Sequence, residues 1–196
     1  MEETLVFIDE GFLSKLPKYL GSGRYLKIDY IKFSKRLSKK QKLFCRHLFY
    51  YTAPPFQSEP PTSEQIKEKK GYDNFIISFS KNKGVTIREG RCQKIINSNS
   101  EIEYHQKGVD VLMVSDMVSV PIKFPDIKKI ILITSDTDFC PIKKDTEKLG
   151  VKVILCTYYE KKRNSKFSVS HHLIDPCNNI YYITKEDFNE SKLIKT

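Results

Sequence analysis

The chain of 196 residues lacks tryptophan and has only five cysteines, eight glycines and nine prolines. No cysteine pair has the Cys-x-x-Cys spacing and the number of cysteines is odd, which argues against a zinc ribbon or a disulfide framework. No stretch approaches the roughly 18 apolar residues of a membrane span. The N-terminus has Glu2 and Glu3 where a secretory signal has basic residues. We therefore expect a cytoplasmic protein with no membrane partner.

Positive charge is in excess, with 34 lysines and arginines against 24 aspartates and glutamates and a net charge of +10. A basic surface attracts polyanions such as nucleic acids. A lysine-rich proteome produces the same excess, so charge alone leaves the partner open. The sequence has no internal repeat, low-complexity tract or domain boundary, and its length suits one cored domain. We expect a single domain over residues 1–196.

The most informative stretch is the apolar run 130–133, which ends in Asp136 and Asp138. A continuous apolar run is typical of a strand buried on both faces. Residues 140–149 suit a helix, and residues 151–155 suit another strand. This order predicts a βαβ unit of a mostly parallel sheet and hence an α/β fold. Ligands in such folds bind beyond the carboxyl ends of the strands, where the two aspartates are expected.

Two other segments carry carboxylates in comparable positions. The apolar run 4–8 predicts a strand that ends at Asp9. A buried helix is predicted to begin near Gly108, which places Asp110 in its first turn, where the helix dipole favours an anion. Asp116 follows six residues later and points about 120° away from Asp110 around a helix. Asp116 therefore need not face the same site.

Carboxylates collected at one edge of a sheet have a chemical use. Mg²⁺ and Mn²⁺ are hard ions that take oxygen ligands. One or two such ions can activate water and stabilise the leaving oxygen of a phosphodiester. Each aspartate alone is more simply explained as a turn or cap residue, but their recurrence at predicted strand and helix ends favours a cation site.

Three segments together resemble the NYN domain, a PIN-like nuclease domain. They are Phe7-Ile8-Asp9-Glu10-Gly11, Lys107-Gly108-Val109-Asp110-Val111 and Thr134-Ser135-Asp136-Thr137-Asp138-Phe139-Cys140-Pro141-Ile142. Their order and spacing match over residues 4–160. The resemblance implies a Rossmann-like three-layer α/β/α sandwich with a mostly parallel central sheet. It also implies an acidic pocket that binds Mg²⁺ or Mn²⁺ and cleaves RNA endonucleolytically.

The resemblance also implies roles for individual residues. Four carboxylates are expected to bind the metal and to act in catalysis, namely Asp9, Asp110, Asp136 and Asp138. Asp138 is either the fourth ligand or the residue that holds a metal-bound water. Asp116 matches a recurrent acidic position and is expected to lie one layer behind the ligands. Three residues are expected to contact the substrate, namely Lys107, Ser135 and Thr137.

The chain departs from the NYN pattern Asp-Gly-x-Asn after its first aspartate. Glu10 takes the glycine position and Phe12 takes the asparagine position, and Ser135 replaces the usual glycine before Asp136. The leading hypothesis is a metal-dependent endoribonuclease that acts on single-stranded or structured RNA. The alternatives are a catalytically impaired RNA- or nucleotide-binding regulator on the same fold and a small-molecule phosphohydrolase. A homodimer is also compatible with the sequence.

Three segments outside these motifs carry weaker expectations. Residues 97–106 are polar and are expected to form a loop. Lys161-Lys162-Arg163 is a small basic cluster. Residues 165–174 suit a short helix that carries His171 and His172, whose role we expect to be structural.

Overall fold

A computed structural model describes residues 1–160, 167 and 179–193. Its strands are β1 (Glu2–Asp9), β2 (Leu43–Thr52), β3 (Val85–Glu89), β4 (Arg91–Ile96), β5 (Ile102–Lys107), β6 (Lys129–Ile133), β7 (Lys152–Thr157) and β8 (Ile180–Tyr182). Its helices are α1 (Glu10–Leu13), α2 (Leu16–Leu20), α3 (Tyr30–Lys40), α4 (Ser63–Ser80), α5 (Val109–Lys123), α6 (Phe139–Lys148) and α7 (Lys185–Glu190). None of the described helices is long and apolar enough to cross a membrane. The expected basic cluster and the helix with the two histidines lie outside the described residues.

The central sheet has six strands in the order β3-β2-β1-β6-β7-β8. Every neighbouring pair in it is parallel. The chain winds from β1 to one edge and then returns to β6 to build the other half. β1 and β6 therefore flank the point where the winding direction reverses, and Ile8 is in register with Ile133 there. Such a switch point is where open α/β sheets bind ligands at their carboxyl ends.

Alternating side chains of the central strands fill two cores on opposite faces of the sheet. Val6 and Ile8 pack in one core with residues of α1, α3, α4 and α7. Leu5 and Phe7 pack in the other core with residues of α5 and α6. Full burial of such side chains contributes about 1.5–3 kcal/mol each. The predicted three-layer α/β/α architecture with a mostly parallel sheet is confirmed.

The predicted helix after Gly108 is confirmed as α5. Gly108 is its N-terminal cap residue, with a φ of 81°. Residues with a side chain rarely adopt this left-handed conformation, so a glycine suits the sharp entry into the helix. The turn at Gly108 fixes where the helix starts, and Asp110 lies in the first turn as expected.

The expected loop over residues 97–106 is confirmed for residues 97–101 and wrong for residues 102–106, which belong to β5. β4 and β5 form an antiparallel hairpin in which Arg91 pairs with Lys107 and Ile96 pairs with Ile102. Most residues of the two strands are exposed or only half-buried. Without a buried face the strands show no apolar alternation, and this hid the hairpin from the sequence pattern. The hairpin delivers Gln106 and Lys107 directly to the start of α5.

Candidate active site at the carboxyl edge of the sheet

Two hydrogen bonds fix the carboxylate of Asp9, the last residue of β1. Its Oδ1 accepts from the backbone N–H of Phe12 at 3.2 Å and thereby caps the short helix α1. Its Oδ2 accepts from the hydroxyl of Thr134, which follows β6, at 2.8 Å. Both carboxylate oxygens therefore have a fixed direction at the switch point of the sheet.

The turn after β6 continues this network. The fully buried Thr134 accepts a 3.1 Å hydrogen bond from the backbone N–H of Asp136. Oδ1 of Asp136 in turn accepts from the backbone N–H of Asp138 at 2.9 Å. One hydroxyl thus connects Asp9 with the acidic turn. Thr134 was not among the residues predicted from the sequence to belong to the site. The available signal was a hydroxyl residue placed directly between the buried strand and the first carboxylate.

The carboxylates of the three segments influence one another. Burial raises the pKa of Asp9, two hydrogen bonds oppose that rise, and the charge of Asp110 adds to it. Burial also raises the pKa of Asp110, and the charges of Asp136 and Asp138 raise it further. The structure therefore brings all four predicted site residues into one field of negative charge. A cation would relieve this repulsion.

Metal ligands are tested by spacing as well as by charge. Within residues 1–160, 167 and 179–193, no three His, Cys, Asp or Glu side chains are spaced to hold a metal ion. The donor atoms are nevertheless all carboxylate oxygens, which are the ligands that Mg²⁺ and Mn²⁺ prefer. The residues fit a hard cation by chemistry and charge, and ligation would require their side chains to move closer together.

Asp116 has a different environment from the four site carboxylates. Its side chain is 5% exposed and accepts from Arg88 at 2.8 Å and 2.7 Å and from the Tyr51 hydroxyl at 3.1 Å. Burial would raise its pKa, but these hydrogen bonds and the charge of Arg88 outweigh burial and lower it. Asp116 therefore joins α5 to β2 and β3 through an ion pair. Tyr51 is in register with Asp9, so this ion pair lies behind the strand end that carries the site.

Comparisons with known proteins identify the family. The family model of the NYN domain matches residues 3–184. The chain belongs to the NYN family. NYN domains are PIN-like nucleases, which agrees with the acidic edge described above.

A solved structure supports the same fold. The crystal structure of a protein of unknown function from Vibrio parahaemolyticus is similar, with a TM-score of 0.55 and 16% sequence identity. The similarity covers 98% of this chain and 96% of that chain. At this identity the likeness concerns the fold alone. No curated protein matches the chain.

The structure explains the departure from the NYN pattern at Phe12. Its side chain is 4% exposed and packs in the core that contains Val6 and Ile8. Only its backbone N–H points to Asp9. The position that carries an asparagine in the NYN pattern thus serves the core through its side chain and the site through its backbone.

Gln106 of the hairpin lies beside the same turn. Its Nε2 donates to Oε2 of Glu10 at 3.2 Å. A Cβ built on Gly11 would be 3.2 Å from Oε1 of Gln106 and 3.2 Å from Oδ1 of Asp9, so Gly11 permits the close approach of both side chains. Gln106 was not predicted to lie at the site, because residues 97–106 were expected to form a loop.

The three predicted substrate contacts occupy the rim of the site. Lys107 is exposed at the end of β5, directly before Gly108. Ser135 and Thr137 are half-buried in the acidic turn. The backbone carbonyl of Thr137 accepts from Cys140 at 3.0 Å and so shapes the entry into α6. Their contact with substrate stays a prediction.

Proposed function

We propose that the protein is a cytoplasmic, metal-dependent endoribonuclease. The observation that carries this proposal is the approach of four aspartates at the switch point of the sheet: the charge of Asp110 adds to the raised pKa of Asp9, and the charges of Asp136 and Asp138 add to the raised pKa of Asp110. Membership of the NYN family supports phosphodiester hydrolysis. The net charge of +10 suits a polyanionic substrate. RNA is the favoured substrate, and a homodimer stays a prediction.

Each residue has a defined part in this proposal. Asp9, Asp110 and Asp136 would hold Mg²⁺ or Mn²⁺, which supplies charge neutralisation at the phosphate and acidifies water when bound. Thr134 keeps Asp9 and the acidic turn in register. The exposed Asp138 lies at the solvent side of the turn, where its carboxylate would orient a water and accept its proton. Lys107 would contact a phosphate oxygen of the RNA.

A second candidate is an RNA-binding regulator with impaired catalysis. Two observations favour it: Phe12 replaces the asparagine of the NYN pattern, and no described group of three ligands is already spaced for a metal. In this case the protein would bind RNA with a steep dependence on salt concentration but would leave it intact.

The deciding experiment is a cleavage assay on labelled single-stranded RNA with Mn²⁺, Mg²⁺ or EDTA. Wild type should cleave with a divalent metal, and Asp136→Asn should lose cleavage. Asp145→Asn is a matched control because Asp145 lies on α6 and pairs only at the surface with Lys148. It should cleave like wild type.

Three other results would redirect the proposal. Binding without cleavage under every condition would support the regulator. Release of phosphate from a monoester without RNA cleavage would support a phosphohydrolase. Unchanged cleavage by Asp136→Asn would refute the site.

A further inference from the structure

A cleft of about 820 Å³ opens between α3, α4 and the carboxyl end of β2. Aromatic rings dominate its lining, namely Tyr25, Tyr30, Tyr50, Tyr72, Phe75 and Phe79. The proposed chemistry of the four aspartates does not use these rings. Core packing accounts for Tyr30, Tyr50, Phe75 and Phe79, but Tyr25 and Tyr72 belong to neither core.

The floor of the cleft is already assembled. The ring centroids of Tyr30 and Tyr50 are 5.0 Å apart, and those of Tyr50 and Phe79 are 5.3 Å apart. Phe75 stacks on Phe79 at 5.2 Å with an interplanar angle of 24°. Such edge and stacked contacts hold each ring against its neighbours. The rings of the floor are therefore already ordered, which reduces the side-chain entropy lost when a ligand stacks on them.

The mouth of the cleft is accessible. Tyr25 is 49% exposed, and Tyr72 is half-buried on α4. The Tyr72 hydroxyl donates to Glu89 of β3 at 2.7 Å, which holds the ring at the rim. A planar ligand that enters the cleft would therefore meet two further aromatic rings beside the floor.

The cleft is continuous with the candidate active site. Glu10 lines the cleft and directly follows Asp9 in the chain. Tyr50 is in register with Ile8, the residue before Asp9, and its ring lies on the face of the sheet that packs against α3 and α4. Burial raises the pKa of Tyr25, Tyr30, Tyr50 and Tyr72, and the charge of Glu10 raises each of them further. The rings and the four aspartates thus share the carboxyl edge of the sheet.

We propose that this aromatic cleft binds an unpaired nucleobase of the RNA strand whose phosphate lies at the four aspartates. The proposal rests on the nuclease function proposed above. Every base has an aromatic face, and proteins bind single-stranded RNA by stacking its splayed bases on Tyr and Phe rings. The carboxylate of Glu10 and the tyrosine hydroxyls supply acceptors for the amino groups at the edge of a base.

Acidic residues at the cleft also raise the alternative of a cationic ligand, because aromatic rings attract cations. The acidic lining residues are Glu10, Asp29 and Glu68, and Lys27 also lines the cleft. Oδ1 of Asp29 is committed to the cap of α3, where it accepts from the backbone N–H groups of Ile31 and Lys32. With a net charge of +10 the chain attracts polyanions rather than cations, so we favour the nucleobase.

The test measures binding and not cleavage. A fluorescent single-stranded RNA hexamer is titrated with the full chain carrying Asp136→Asn in EDTA, and anisotropy gives the Kd. Adding Tyr72→Ala or Tyr25→Ala should raise the Kd roughly fivefold to hundredfold, as expected for the loss of one stacking ring. Tyr72→Phe and Tyr25→Phe keep the ring but lose the hydroxyl, so the Kd of each should lie between those of the parent and of the matching alanine variant.

The matched control is Phe44→Ala, because Phe44 is a 53% exposed aromatic residue near the start of β2, at the opposite edge of the sheet. It should bind like the parent protein. A single abasic position is then moved along the hexamer. One position should weaken binding by the parent and cause little further loss in Tyr72→Ala, because both changes remove the same contact.

The outcomes separate this inference from the proposed nuclease function. Equal Kd values for the alanine variants and the parent would overturn the cleft, even if cleavage depends on Asp136. Ring-dependent binding without cleavage under any condition would support the cleft and refute the nuclease. Absence of RNA binding, with ring-dependent binding of tetramethylammonium instead, would overturn the nucleobase in favour of a cation. Melting curves of all variants confirm that binding is compared between folded proteins.

Discussion

The hydroxyl of Thr134 donates a 2.8 Å hydrogen bond to Oδ2 of Asp9 and accepts one from the backbone N–H of Asp136. One uncharged side chain thus connects the carboxylate of Asp9 with the backbone of the turn that carries Asp136 and Asp138. Residues that orient metal ligands in this way commonly affect activity as strongly as some ligands do.

Replacing Thr134 by valine preserves the branched shape but removes this hydroxyl. We expect Thr134→Val to reduce RNA cleavage about 10- to 100-fold, because Asp9 and the acidic turn lose their common partner. The measurement is kcat and the Mn²⁺ concentration that gives half-maximal rate. Thr134→Ser keeps the hydroxyl and should recover most of the activity. Wild-type kinetics in Thr134→Val would show that this bond does not position the site.

The charge of Asp110 is expected to lower the stability of the fold, and a bound metal ion should remove this effect. Partial desolvation and the charges of Asp136 and Asp138 raise the pKa of this exposed residue, so its carboxylate opposes folding slightly at neutral pH. We expect Asp110→Asn to raise the Tm in EDTA while abolishing cleavage. Mn²⁺ should raise the Tm of wild type more than that of the variant, because the variant has one carboxylate fewer to bind the cation. Equal Mn²⁺ shifts in both proteins would place the cation elsewhere.

Phe12 cannot simply be converted to the residue of the NYN pattern. Its ring is 4% exposed in the core, and Phe12→Asn would remove that packing and bury an amide. We expect a loss of about 3–5 kcal/mol in the free energy of unfolding. Urea denaturation measures it, and Phe12→Leu should lose much less. A stable and more active Phe12→Asn protein would show that the ring is not required by the core.

Lowering the pH should reduce the contribution that Asp187 of α7 makes to the free energy of unfolding. Burial raises the pKa of this fully buried carboxyl, but hydrogen bonds from Thr184, Arg36 and Tyr181 outweigh burial and lower it. Because the folded pKa lies below the unfolded value of about 3.9, the contribution is complete above that value. It is lost as the pH falls through the folded pKa.

The measurement compares wild type with Asp187→Asn by urea unfolding between about pH 2 and pH 6. Wild type should be more stable at the upper end, and the difference should shrink towards the lower end. Glu186→Gln is a control, because Glu186 contacts the same Arg36 with a side chain that is 71% exposed. A difference that does not depend on pH would assign the effect of Asp187→Asn to packing.

The sequence predicted the parts of the fold that depend on burial. The apolar run before Thr134 is a strand because it is buried on both faces, and Gly108 suits the start of a helix because glycine adopts the left-handed turn there without strain. The hairpin with Gln106 escaped prediction because strands without a buried face have no apolar period. Within the site, the aspartates could be predicted from their charge. The role of Thr134 could not, because it depends on a contact between residues that are 125 positions apart in the chain.

That separation along the chain also has a consequence for biosynthesis. During synthesis Asp9 emerges 127 residues ahead of Asp136. Until β6 has inserted beside β1, the acidic cluster does not exist. The RNA cleavage proposed above would therefore become possible only after the segment that carries Asp136 has been made and has folded beside β1.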